Sequence, residues 1–153
     1  MKLHPIGIAL YIHLHCAGGV RQRLSQGALK YLPYARLAAR LLVFLWFFLG
    51  GISHFLIPDV FVRIVSPFVP YPEYVVYLSG LLELAGALAI WHRRLRSYAG
   101  IGLILLTLCV TPANIYMWMH PELFPYIPLW ALAIRLPLQL LLIWVIWYAT
   151  RKE

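Results

Sequence analysis

Five polar side chains stand inside long apolar runs of this sequence: His54, Glu83, Asn114, Arg135 and Gln139. Together they offer an imidazole and a carboxyl that can exchange protons, a guanidinium that can hold anionic or carbonyl oxygens, and two amides that both donate and accept. Charged and amide groups within an apolar helix face the bundle interior rather than lipid, and such positions are functional by default. Small and hydroxyl residues recur around them at three- and four-residue spacings, which place each set on one helix face. Gly50 and Gly51 accompany His54, Ser79, Gly80 and Gly86 accompany Glu83, and Thr107 and Thr111 accompany Asn114. Glycines on those faces allow neighbouring helices to approach closely.

Depth relates the two charges. Glu83 stands about nine residues from the outer end of its run and Arg135 about seven, a difference of about 3 Å at the helical rise. A lone charge at the centre of a membrane helix costs about 2.5–3.5 kcal/mol on insertion scales. A Glu83–Arg135 ion pair is therefore expected, with Gln139 one turn below Arg135 and with His54 and Asn114 nearer the outer surface. These residues outline a polar pocket in the outer half of a bundle. A second reading stays open, in which the charges fix helix order and register, so that losing one partner misassembles the bundle. For His54, at the end of its run, an interface position is the simpler reading.

Two prolines interrupt the same runs. Pro112 leaves the carbonyl of Leu108 without its helical donor, and Pro137 does the same to Ala133 beside Arg135, so a bend is expected at each. Side chains must satisfy what such bends expose where water is absent, and Thr111 and Asn114 are placed to do so around Pro112.

The elements that carry these residues are membrane-like. Of 153 residues, 63% are hydrophobic and 12% charged, with a mean hydropathy of +0.79. Four runs, 37–57, 74–91, 97–119 and 128–149, reach or approach the length of about 20 residues that crosses a bilayer core. The fold class expected is an all-α integral membrane protein, a bundle of four transmembrane helices. The formal charge of +8 is distributed as the positive-inside rule requires. Lys2, Arg21, Arg23, Lys30, Arg36 and Arg40 precede the first run, Arg93, Arg94 and Arg96 separate the second from the third, and Arg151 and Lys152 follow the last. Both termini are then cytoplasmic, and this alternation speaks against a nucleic-acid partner. The outer segment 58–73 contains Pro58, Pro67, Pro70 and Pro72; its first part reads as a short interfacial helix begun by Pro58-Asp59 and burying Phe61, Ile64 and Val65.

Three regions follow: an N-terminal extension over 1–36, interfacial or poorly ordered, the membrane domain over 37–149, and a cytoplasmic tail over 150–153. The extension is apolar but short, and His13 and His15 interrupt it. It matches neither a full span nor a clean signal peptide, and a start codon placed too early is an alternative. His4, His13 and His15 lack metal-ligand spacing, and no metal site is expected. Cys16 and Cys109 form no C-x-x-C motif, which argues against dithiol chemistry by this chain alone.

Four motifs occur in order: G-x-x-H-F-x-x-P over 51–58, S-G-x-x-E over 79–83, P-A-N-I over 112–115 and R-x-P-x-Q over 135–139. In that order they resemble the DoxX-like family of small bacterial integral membrane proteins, over roughly residues 40 to 149. The resemblance implies a four-helix bundle in the bacterial inner membrane. It implies less about activity: relatives include subunits of a thiosulfate:quinone oxidoreductase, others are linked to thiol-redox complexes, and many have no assigned function. It carries no agreed catalytic set, so His54, Glu83, Asn114, Arg135 and Gln139 are ligand-pocket candidates, with Ser79, Thr111, Pro112 and Pro137 in support. No P-loop, haem-type histidine pair or cysteine cluster occurs. No cofactor is then carried by the chain itself; in redox work a quinone or a partner subunit would carry the electrons. The two functional readings are a quinone- or small-acid-binding subunit and a non-enzymatic membrane interaction or assembly protein. An oligomer is compatible with either.

Overall fold

A computed structural model describes residues 32–65 and 69–151, which form helices and turns with no strand among them. The expectations for the N-terminal histidines, Cys16, Pro67 and Lys152 fall outside the described residues. Six helices follow in order: α1 Leu32–Leu56, α2 Pro58–Ile64, α3 Pro72–Ala89, α4 Arg96–Cys109, α5 Thr111–Met119 and α6 Leu129–Thr150. The chain divides into two units, Met1–Arg36 and Leu37–Glu153. In the first, residues 32–36 are helical; everything below concerns the second.

Among the described residues three helical stretches are long and apolar enough to cross a membrane: Leu32–Leu56, Arg96–Met119 and Leu129–Thr150. The run expected as the second span is α3, an 18-residue helix. Two glutamates, two tyrosines, a serine and two glycines within it dilute its apolar character. Its start follows from sequence chemistry: Pro72 occupies the first turn, where its missing N–H is no loss, and Glu73 faces the positive end of the helix dipole. The short helix α2 begins as expected at Pro58, with Asp59 in its first turn and Arg63 in its last. Phe61, Ile64 and Val65 are each partly buried.

The two internal prolines behave differently. The third apolar run breaks at Val110, between α4 and α5, and Pro112 sits in the first turn of the new helix. The fourth run does not break, because α6 continues through Pro137. A proline removes one helical hydrogen bond, and a helix in apolar surroundings absorbs that loss when local adjustments or neighbours meet the freed carbonyl.

Packing divides the bundle along its length. One half is a dry core of Val43 and Phe47 from α1, Ala87 and Ile90 at the end of α3, Leu103 from α4, and Ile146 and Ala149 from α6. Gly86 and Gly100 make that contact close: a methyl group at either would overlap Leu103 or Thr150 respectively. Basic residues close this end by meeting carbonyls that helix termini leave without partners. Arg40 Nε donates to the Ala149 carbonyl (3.0 Å), and Arg96 Nε donates to the Ile90 carbonyl (3.0 Å). The Arg151 guanidinium lies 4.7 Å from the Trp147 ring centre, a cation–π contact. The outward faces of the long helices carry Leu41, Leu45, Leu49, Leu105, Leu108, Leu140 and Trp144, all exposed. So broad an apolar surface suits lipid and not water.

The opposite half holds α2, the break between α4 and α5, and the polar residues. Beyond α5, His120 Nδ1 and Glu122 Oε1 lie 3.0 Å apart. A bond from its own backbone N–H, then the His120 side chain, hold the Glu122 carboxyl below its ordinary range. α1 and α3 touch there through Gly51 and Gly80: a Cβ at Gly80 would lie 2.7 Å from His54 Cβ and 3.1 Å from the Gly51 carbonyl oxygen. At Gly102 an added Cβ would meet nothing within 4 Å. Gly80→Ala is expected to lose about 1–3 kcal/mol of stability by overpacking, while Gly102→Ala is neutral or stabilising. Thermal unfolding of both variants in mild detergent checks the difference, and equal midpoints would contradict the close approach of α1 and α3.

Candidate functional site

The site begins where the glycine contact ends. His54 is buried in the last turn of α1, and its ring stacks on Phe61 of α2, with centroids 4.0 Å apart and planes 21° from parallel. Its Nδ1 lies 3.0 Å from the Val76 carbonyl oxygen. A carbonyl only accepts, so Nδ1 carries the proton and donates. Ser79 Oγ donates to the same carbonyl at 2.8 Å and sits 3.2 Å from His54 Nδ1. This arrangement fixes the ring and turns Nε2 towards Glu83, whose Oε1 is 3.7 Å away.

Glu83 leans towards α1 because Gly50 leaves room for it. A Cβ at Gly50 would stand 2.8 Å from Glu83 Oε2. The expected Glu83–Arg135 ion pair does not form. Glu83 faces His54, and Arg135 Nη1 instead donates to Met117 Sδ at 2.6 Å. Among the described residues that thioether is the only polar partner of the guanidinium. Matching depth along two helices set the two charges at one level, but it did not fix the direction each side chain takes around its helix axis. Gly50 on one side and Met117 on the other draw them apart.

The space between them is cavity. One cavity, of about 330 Å³, is lined by Trp46, Phe47, Glu83, Thr107, Asn114, Arg135 and Gln139, among others. A second, of about 320 Å³, is lined by His54, Phe61, Val76, Ser79, Glu83, Pro112, Asn114 and Arg135, among others. Glu83, Val110, Asn114 and Arg135 belong to both linings, so these four form the partition between the two. Glu83, Asn114 and Arg135 line both spaces, Gln139 only the first and His54 only the second, so the five candidates gather around two adjoining spaces rather than through a central ion pair.

Asn114 and Gln139 do the work that the break at Pro112 requires. Asn114 Nδ2 donates to Gln139 Oε1 at 2.9 Å. The Gln139 amide in turn donates through Nε2 to the Thr107 carbonyl at 3.0 Å and to Thr111 Oγ1 at 2.5 Å. Thr111 Oγ1 donates back to the Thr107 carbonyl at 3.4 Å, and Thr107 Oγ1 donates to the Leu103 carbonyl at 2.7 Å. Thr111 and Asn114 were expected at the bend, and both are there. The residue that joins them is Gln139, from another helix. Among the described residues no three His, Cys, Asp or Glu side chains converge as a metal would need.

Three participants gave no signal as chemistry in the sequence. Val76 acts through its backbone carbonyl, Met117 through a thioether, and Phe61 through a ring already accounted for as an interfacial anchor. A valine and a methionine in apolar helices are indistinguishable from ordinary packing residues until the neighbouring helix is in place.

Residues 41–150 match the family described as "Domain of unknown function (DUF8561)", and the chain belongs to that family. No curated protein and no solved structure matches the chain.

Gln139→Leu removes the bonds to Thr107 and Thr111 and leaves the Asn114 amide without its acceptor, at nearly constant volume. Stability is expected to fall by about 1–3 kcal/mol, as for a buried polar partner left unsatisfied, whereas Leu140→Ala, on the exposed face of the same helix, changes little. Chemical unfolding in detergent measures both, and an unchanged midpoint for Gln139→Leu would remove the network from the account.

Proposed function

We propose that this DUF8561 member is a multi-pass protein of the bacterial inner membrane that binds a quinone or a small acidic molecule in the outer half of its bundle. In this reading α3 is a fourth transmembrane helix, both termini lie on the cytoplasmic side, and the chain is a non-autonomous subunit of a membrane redox system, akin to the DoxX-like proteins it resembles. The basic residues at the dry end support that orientation through the positive-inside rule. The ordered motifs support the kinship, since His54, Glu83, Asn114, Arg135 and Gln139 all come from them.

The observation that carries the binding reading is the separation of the two charges. Arg135 lines both cavities while, among the described residues, only a thioether accepts from it. A guanidinium offers five donors and suits oxygens, so ligand oxygens at the partition would meet groups that the protein leaves available. Glu83 faces the same space and, with His54 beside it, can give or take a proton as a quinone or an acid requires. An assembly lock would instead favour direct pairing, because that removes both charges from apolar surroundings most completely.

Arg135→Gln should leave the bundle folded and weaken binding of a short-chain benzoquinone, or of benzoate as a small acid, by about tenfold or more, equivalent to about 1.4 kcal/mol. Native mass spectrometry in mild detergent reads the bound fraction, and quenching of tryptophan fluorescence, lost in Trp46→Phe, places a bound quinone at the partition. Equal occupancy in parent and variant, or a bare chain that instead retains a second polypeptide, would favour a non-enzymatic interaction protein.

A further inference from the structure

Glu83 borders a third space that the binding reading does not use. A groove of about 710 Å³ is lined by Leu42, Leu45, Trp46, Leu49, Gly50, His54, Phe61 and Glu83. Its α1 walls are outward-facing: Leu42, Leu45, Trp46 and Leu49 are between 51% and 60% exposed. Its floor is the carboxyl. Trp46 and Glu83 also line the first interior cavity, and His54, Phe61 and Glu83 also line the second. The groove therefore adjoins both interior cavities, and Glu83 alone lines all three spaces.

Gly50 is what keeps this flank open. It lies on α1 directly against the carboxyl, and any side chain there would overlap Glu83 Oε2 or displace it. The Glu83 side chain keeps 14% of its surface accessible. An acid in an apolar helix would normally be screened on every side. Here one glycine leaves it reachable from the face that the leucines and Trp46 expose.

We propose that Gly50 and its neighbours form a lateral opening through which Glu83 is reached from the bilayer, and that the ligand is an uncharged, lipid-soluble molecule with a hydrogen-bonding head and an apolar body. This deepens the binding reading and rests on it for the ligand, while the opening stands on the groove geometry alone. The apolar walls suit the body of such a molecule, and the floor of Glu83 and His54 suits its head. A charged, water-soluble solute is disfavoured on this route, because it would have to leave water to enter a groove walled by leucine and tryptophan.

The opening is tested with dicyclohexylcarbodiimide, which dissolves in the lipid phase and reacts with carboxylic acids. The carboxyl oxygen bonds to the central carbodiimide carbon and the acid proton passes to one of its nitrogens, so the adduct forms without a leaving group. The full chain in lipid vesicles is treated, digested and mapped by mass spectrometry, with a water-soluble carbodiimide in parallel and Glu83→Gln as the blank. Labelling of Glu83 by the lipid-soluble reagent and not by the water-soluble one is expected. Gly50→Leu should abolish it, and so should Leu49→Trp, which changes only an exposed wall and cannot disturb the interior. No labelling of Glu83 in the parent, labelling by both reagents alike, or undiminished labelling in both variants would overturn the opening. Labelling as expected with no benzoquinone bound would leave the opening standing and remove the ligand.

Discussion

A carbonyl or amide inside a bilayer has no water to turn to, and this structure is organised by how it meets that constraint. The third apolar run breaks at Val110, so backbone groups that an unbroken helix would pair must find partners elsewhere. Gln139 supplies one from α6 by donating to the Thr107 carbonyl, and it also holds the Thr111 hydroxyl and the Asn114 side-chain amide. Without that bridge the break would cost roughly a buried hydrogen bond for each group left open. With it, α5 follows α4 across the break, and Val110 and Asn114 line the space beside α6.

The two halves of the bundle solve different problems. At the basic end, glycines let side chains fill the interior, with Leu103 over Gly86 and Thr150 over Gly100, and arginines close the helix ends. At the other end the glycines bring α1 and α3 together but leave polar groups room. Gly80 admits His54, and Gly50 admits the Glu83 carboxyl. The same residue type therefore tightens one half and opens the other, and the difference lies in what the neighbouring helix places against it. A dry half provides stability through packing, which lets the other half keep groups whose partners are incomplete.

Much of this was legible in the sequence. Pro58-Asp59 announced one helix start, and Pro112 among apolar residues announced a disturbance of its helix; the start at Pro72, two residues before the expected run, was not foreseen. Three- and four-residue spacings put the five polar side chains on inward faces, and three of them, Glu83, Asn114 and Arg135, line both cavities. What the sequence could not supply was the direction of each side chain around its helix. Depth placed Glu83 and Arg135 at one level, yet Gly50 and Met117 separate them. Pro137 looked equivalent to Pro112, but α6 stays continuous, because a single lost bond is a local matter that the surrounding helix decides. The roles of the Val76 carbonyl and of Met117 depend on neighbours from another part of the chain and leave no mark on residue type.

Asn114 and Gln139 act together to hold the broken helix, and a double-mutant cycle measures their coupling. Unfolding free energies of the parent, Asn114→Ala, Gln139→Ala and the double variant would be measured in the same detergent. Interhelical hydrogen bonds in membrane proteins couple by about 0.6 to 1.7 kcal/mol, and a coupling in that range is the result the account predicts. Losses that add to within about 0.3 kcal/mol, as for residues that do not interact, would contradict it.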